Sequence, residues 1–119
     1  MSFEIITINE HNYPHVLDLL EICFPNAPRE YFEAHHRRDP AYSFNQAHAL
    51  SDGDTIVSHL QVFHREMGFG LTSIPYGGIG DVATHPIHRK RGLSGRLLGE
   101  SIQYMDSAAL PLSILFTGL

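Results

Sequence analysis

Hydrophobic positions recur at two different periods along this chain. Ile5, Ile6 and Ile8 with Thr7 form a β-branched run closed by Asn9, which predicts a first strand over 3–8. The spacing then becomes helical: Val16, Leu19, Leu20, Cys23 and Phe24 follow Asn12 as N-cap and Pro14 in the first turn, so a helix is expected over about 13–24. Pro25 and Pro28 interrupt it. A shorter helix over 29–38 follows, with Tyr31, Phe32 and Ala34 available for packing and Asp39-Pro40 as its end.

Extended patterns dominate the middle. A brief strand over 47–50 and a longer one over 55–63 flank the turn residues Ser51, Asp52, Gly53 and Asp54, which makes a hairpin. Gly68 and Gly70 mark the next turn. Residues 71–84 resume extended structure, but Gly77, Gly78 and Gly80 weaken or bulge the first half, which places the regular strand at 79–84. Pro86 closes it. A helix over about 93–108 carries Leu98, Ile102, Met105 and Ala109 on one stripe with Leu93 and Leu97 beside it; Pro111 stops it, and 112–116 reads as a short buried strand. The order β, α, α, β, β, β, α, β predicts one mixed α/β domain, 1–119, without repeat, linker or low-complexity segment.

Composition narrows the classes without naming a function. With 119 residues, 43% of them hydrophobic and 18% charged, the chain has the make-up of a globular domain and not of a disordered, collagenous or disulfide-stapled one. No apolar run approaches the roughly 20 residues a spanning helix needs. The start Met1-Ser2-Phe3-Glu4 lacks signal-peptide order, so a cytoplasmic protein is expected. The single cysteine, Cys23, has no metal-ligand spacing around it and reads as a small core residue.

Charge changes the picture more. The net charge of −5 argues against general nucleic-acid binding. Ten of the thirteen acidic residues precede residue 67, whereas Arg89, Lys90, Arg91 and Arg96 fall within one short stretch, which should bind an anion. There a strand ends, a basic loop turns and a helix begins. Helix-start N–H groups lack intrahelical partners, Gly92 lets a phosphate approach the main chain, and the helix macrodipole adds positive potential. Together they form a pyrophosphate cradle. It is neither G-x-x-x-x-G-K-[ST] nor G-x-G-x-x-G.

Arg89-Lys90-Arg91-Gly92-Leu93-Ser94 resembles the acetyl-CoA-binding motif [RQ]-x-x-G-x-[GA] of the GNAT superfamily of N-acetyltransferases. Ser94 departs from its last position. Val82-Ala83-Thr84-His85-Pro86 resembles the strand before that loop, and the element order is similar over essentially the whole chain. The longer run from Gly77 to Pro86, followed by Arg89 to Leu93, looks closest to the branch containing the mycobacterial enhanced-intracellular-survival acetyltransferases. The resemblance implies a mainly antiparallel mixed sheet flanked by helices and acetyl-CoA as acyl donor. It implies that main-chain groups of Val82 and Thr84, with Ala83 between them, take the pantetheine arm like an added strand. The N–H groups of Lys90 to Gly95 would hold the pyrophosphate. An acceptor amine would attack the thioester directly, without a covalent nucleophile.

In the family the fold continues after the fifth strand with a helix and two strands, and that helix usually carries a tyrosine that protonates the thiolate. Against that pattern the chain, ending at Leu119, reads as a truncated acetyltransferase in which none of Tyr13, Tyr31, Tyr42, Tyr76 and Tyr104 holds the acid's position. Its last apolar strand would then present an edge able to recruit a second copy, so a homodimer is expected. Tyr76 lies nearest the substrate strand and otherwise reads as a packing residue. The base candidates are Asp81, which strand alternation points away from the face of residues 80 and 82, and His85, acting through water.

Nine histidines raise the question of a metal. His35 and His36 diverge by about 100° on a helix, and His59 and His64 fall on opposite strand faces, so no metal site is expected. Arg37 and Arg38 read as the cationic end of a helix. The leading function is an acetyl-CoA-dependent N-acetyltransferase, or its cofactor-binding portion, with a small-molecule or peptide amine acceptor. The acidic first half suits a cationic acceptor such as an aminoglycoside, a polyamine or a lysine side chain. A non-catalytic acyl-CoA-binding or interaction module is the alternative. No nucleic acid or membrane partner is expected.

Overall fold

The computed structural model describes residues 3–115. Its elements are β1 (Glu4–Ile6), α1 (Tyr13–Cys23), α2 (Arg29–Arg38), β2 (Ala47–Asp52), β3 (Thr55–Phe69), β4 (Thr72–Thr84), α3 (Leu93–Ser107) and β5 (Leu112–Leu115), with short 3-10 turns at Phe44–Gln46 and Pro86–His88. The order is the one expected. The strands form one sheet, β1-β2-β3-β4-β5, antiparallel except for the parallel β4–β5 pair. The expected strand end at Phe116 and the tail to Leu119 lie outside the described residues.

Two apolar layers sandwich the sheet. On one face Val16, Leu17, Leu19 and Leu20 of α1 and Phe32 of α2 pack with Ala47, Ala49, Ile56 and Ala83. On the other, Leu93, Leu97 and Met105 of α3 pack with Leu50, Val57, Leu60, Val62 and Ile79. α2 buries little else: Phe32 and His36, four residues apart, are its only buried side chains. It is fastened to α1 by Arg29, whose guanidinium donates to Asp18 and Glu21 at 2.7 Å each and to the Pro14 carbonyl at 3.0 Å.

Three expectations need correction. β3 and β4 are longer than predicted, with their turn at Gly70, because the glycines meant to weaken β4 are paired residues: Gly77, Gly78 and Gly80 face His64, Phe63 and Gln61. Gly77 lies under α3: a Cβ there would stand 2.5 Å from Met105 Sδ, so the methionine side chain would have to shift. The buried stripe of α3 is Leu93, Leu97, Ser101 and Met105, while Ile102 is 56% exposed. Asn12 occupies the N-cap of α1 but makes no cap hydrogen bond; its side chain joins the Thr7 carbonyl and the Asn9 amide.

Candidate active site

β4 changes character halfway along. β5 pairs with it from Tyr76 to Ile79, and from Gly80 to Thr84 no described strand lies on that edge. On the opposite edge the β3 register shifts: Gly80 faces Gln61 and Ala83 faces His59, so Asp81 and Val82 together oppose Leu60. This is a β-bulge, and Asp81 takes the left-handed conformation at φ +50°. Aspartate tolerates that region better than most residues. The displaced Asp81 carbonyl accepts a hydrogen bond from the ring N–H of His59 at 2.9 Å. His59 is buried, and burial lowers its pKa to about 4 despite the nearby carbonyl and carboxylate, so the ring is neutral at pH 7.

The bulge overturns the expected alternation. Val82 packs toward α3, whereas the Asp81 carboxylate reaches α2, where it accepts a hydrogen bond from His36 Nε2 at 2.6 Å. An ionised carboxylate only accepts, so Nε2 carries the proton and Nδ1 is left as an acceptor. Tyr13 O–H donates to it at 2.6 Å. The Tyr13 phenol is pushed up to about 12, first by burial and then by the charges of Glu33 and Asp81, which outweigh Arg37 and Arg29. Tyr42 stacks on the His36 ring, centroids 4.6 Å apart. Tyr13, Glu33, His36, Arg37, Tyr42 and Phe44 line a cavity of about 300 Å³ beside this chain of groups.

The second cavity, about 190 Å³, opens where β4 gives way to α3 and is lined by Thr84, His88, Arg89, Lys90, Gly92, Leu93, Ser94 and Gly95. Lys90 at φ +66° and Gly92 at φ +73° turn the loop so that the start of α3 faces it. Nothing lies within 4 Å of a Cβ built on Gly92, so the space over the helix start is open and a side chain there would occupy it. Ser94, the departure from the expected motif, has a structural use: its hydroxyl meets Thr84 Oγ1 at 3.0 Å, which meets Ser58 Oγ at 2.9 Å, a hydroxyl ladder from α3 to β3. His88 is 9% exposed and its Nδ1 has no partner among the described residues. The open helix start, the cationic rim and this unmatched polar atom suit an anionic group such as a pyrophosphate.

The basic cluster is not all directed there. Arg96 donates to the Phe3 carbonyl at 2.9 Å and anchors the start of the sheet. Arg89 Nε holds the Thr84 carbonyl at 3.2 Å, and Cys23 Sγ donates to the same carbonyl at 3.4 Å. Burial raises the Cys23 thiol pKa, against the pull of Arg89, so the thiol stays protonated. Ala83 is buried in the α1 layer, which leaves only its main chain for a ligand. His85 caps the 3-10 turn, its Nδ1 accepting from the Ile87 amide at 3.2 Å. Tyr76 pairs with Arg65 on β3 and Leu112 on β5. Among the described residues no group of three or more His, Cys, Asp and Glu could hold a metal, and no helix is long and apolar enough to cross a membrane.

Sequence reasoning brought Asp81 and the 82–95 cradle forward but missed Tyr13 and set His36 aside after weighing it as a metal ligand. The useful signal was the Gly80-Asp81 pair in a strand, a marker of a bulge that frees a carboxylate from alternation.

Comparison with known proteins agrees with this geometry. No curated protein matches the chain. A GCN5-related N-acetyltransferase from Kribbella flavida superposes with a TM-score of 0.84 at 19% identity, covering 99% of this chain and 30% of its own. N-myristoyltransferase from Saccharomyces cerevisiae with bound myristoyl-CoA gives 0.83 at 17% identity, over 99% and 31%. Glucosamine-6-phosphate N-acetyltransferase from Arabidopsis thaliana gives 0.73 at 15%, over 100% and 84%. The chain thus spans about a third or less of the first two and most of the third. The model of the acetyltransferase (GNAT) domain matches residues 4–117. With a bulged fourth strand and a helix start facing a cationic cavity, and with the family's domain model matching residues 4–117, the chain belongs to the GNAT acetyltransferase domain family.

Proposed function

We propose that this domain binds acetyl-CoA and transfers its acetyl group to a primary amine by direct attack on the thioester. The observation that carries the reading is the open start of α3: with Lys90 and Gly92 in left-handed conformations, the helix start lines a cavity that reaches Thr84 at the end of β4. Lys90 to Gly95 would take the pyrophosphate, and the main chain of Val82 to Thr84 the pantetheine arm. The donor supplies an activated acyl carbon; the protein's part is placement of the donor and of the amine. The acceptor would be a cationic small molecule or peptide amine, entering from the cavity between α1 and α2. Of the two expected base candidates, His85 is spent on its turn, and Asp81 is joined to the cavity between α1 and α2 through His36. Placement in the enhanced-intracellular-survival branch is part of the same reading, on the run from Gly77 to Pro86 followed by Arg89 to Leu93. So is pairing of two copies, which sedimentation would test.

The test is calorimetric titration with acetyl-CoA and with desulfo-CoA. Both are expected to bind at micromolar strength, and Gly92→Glu, which fills the cradle with a carboxylate, to abolish binding; the left-handed φ of +73° strains any side chain there, so melting temperature should fall modestly in a variant that still folds. Equal binding by that variant would contradict the cradle. Binding without turnover on any amine would favour the non-catalytic acyl-CoA module.

A further inference from the structure

The cavity between α1 and α2 is lined by both Tyr13 and His36, and Asp81 lies beyond His36. The two hydrogen bonds are 2.6 Å each, and their polarity follows from the chemistry of the groups: Tyr13 donates to His36 Nδ1, and His36 Nε2 donates to Asp81. Every element packed around His36 contributes a charged or titratable neighbour. Tyr13 comes from α1, Asp81 from β4, His59 from β3 and Tyr42 from the segment after α2. Its own helix adds Glu33, His35 and Arg37. The balance at the phenol is negative, because Glu33 and Asp81 outweigh the arginines there. The cavity walls are aromatic, from Tyr13, Tyr42 and Phe44. A negative potential within aromatic walls suits an organic ammonium.

We propose that Tyr13, His36 and Asp81 form a proton relay through which an ammonium acceptor seated in this cavity is made nucleophilic. The inference rests on the acyl-transfer reading above and adds to it the path of the proton. The ammonium gives one proton to the Tyr13 oxygen while Tyr13 passes its own to His36 Nδ1, and the Asp81 carboxylate stabilises the resulting imidazolium. The neutral amine then forms the C–N bond as the C–S bond breaks. The thiolate leaves with the bonding pair and takes the second nitrogen proton, and His36 returns the first to solvent after product release. Tyr13 is the group that touches substrate; Asp81 is a positioning residue.

The pH profile of kcat/KM for a diamine, in wild type and Tyr13→Phe, tests this. Wild type should lose about tenfold per pH unit on the acid side, as expected when one protonation blocks the relay. The phenylalanine variant should bind acetyl-CoA as wild type does, lose about 10²–10⁴-fold in kcat near neutrality, and climb with pH as the amine's own ionisation takes over. Asp81→Asn should lower kcat more than it alters KM. A Tyr13→Phe profile parallel to wild type, or a folded, acetyl-CoA-binding wild type that acetylates no amine, would overturn the relay and leave the donor site standing. Failure of wild type to bind acetyl-CoA would instead overturn the reading beneath it.

Discussion

At Gly77 the side chain that is missing matters more than any conformational freedom. A Cβ would meet Met105 Sδ at 2.5 Å and Val62 Cγ1 at 3.1 Å, and both neighbours are buried. Gly77→Ala should therefore cost about 1–3 kcal/mol by overpacking, and in a double-mutant cycle with Met105→Ala the two costs should be clearly less than additive. Urea denaturation measures both; full additivity would mean that α3 does not press on Gly77. The sequence flagged this glycine as a weak point in a strand, since nothing local announces a methionine 28 positions on. Gly92 was legible for the opposite reason, as its meaning is set by the strand, basic loop and helix beside it. Tyr13, His36 and Asp81 could not be read together, because their contacts span 23 and 45 residues.

Elements were legible where periodicity spoke for itself. α1 and α2 fall within a residue of expectation, and the Gly53 turn, at φ +63°, joins β2 to β3. The stripe of α3 was misread because Ser101 holds a buried position by bonding the Leu98 carbonyl at 2.8 Å, a local arrangement that lets a polar residue replace an apolar one. The end of α2 is tied to the sheet by Arg65, 2.9 Å from Asp39, a carboxylate that is 9% exposed. Burial alone would raise the Asp39 pKa, but Arg65 and the Ala41 amide outweigh it and hold the carboxyl below its usual range. A depressed carboxyl pKa stabilises the fold above the unfolded-state value and loses that effect as pH falls through the folded one. Asp39→Asn should thus cost on the order of 1 kcal/mol at pH 7, with the gap to wild type closing in acid. A gap unchanged across chemical melts from pH 7 downward would contradict this origin.

For the whole molecule, the burial that builds the site sets its acid limit. His59 has its pKa lowered to about 4 by burial, and burial lowers that of His48 as well. Between about pH 6.5 and the lowered value an unfolded histidine binds a proton that the folded one refuses, so the unfolded state is favoured as pH falls. His59 alone contributes on the order of 3 kcal/mol to this loss. Melting temperature should drop steeply from pH 7 to pH 5, and His59→Asn should flatten the slope even if it lowers stability at pH 7. An equal slope in the variant would contradict the assignment. The class of fold and the strand, basic loop and helix that frame the second cavity were visible before the structure because both rest on contiguous patterns. The Tyr13–His36–Asp81 arrangement was not, since it is made where α1, α2 and β4 converge. The central claim, that the start of α3 and the end of β4 hold an acyl-CoA, is tested most directly by amide hydrogen exchange with and without acetyl-CoA. Slowed exchange at 82–84 and 90–95 is the predicted result; binding that leaves those amides unchanged would contradict the account.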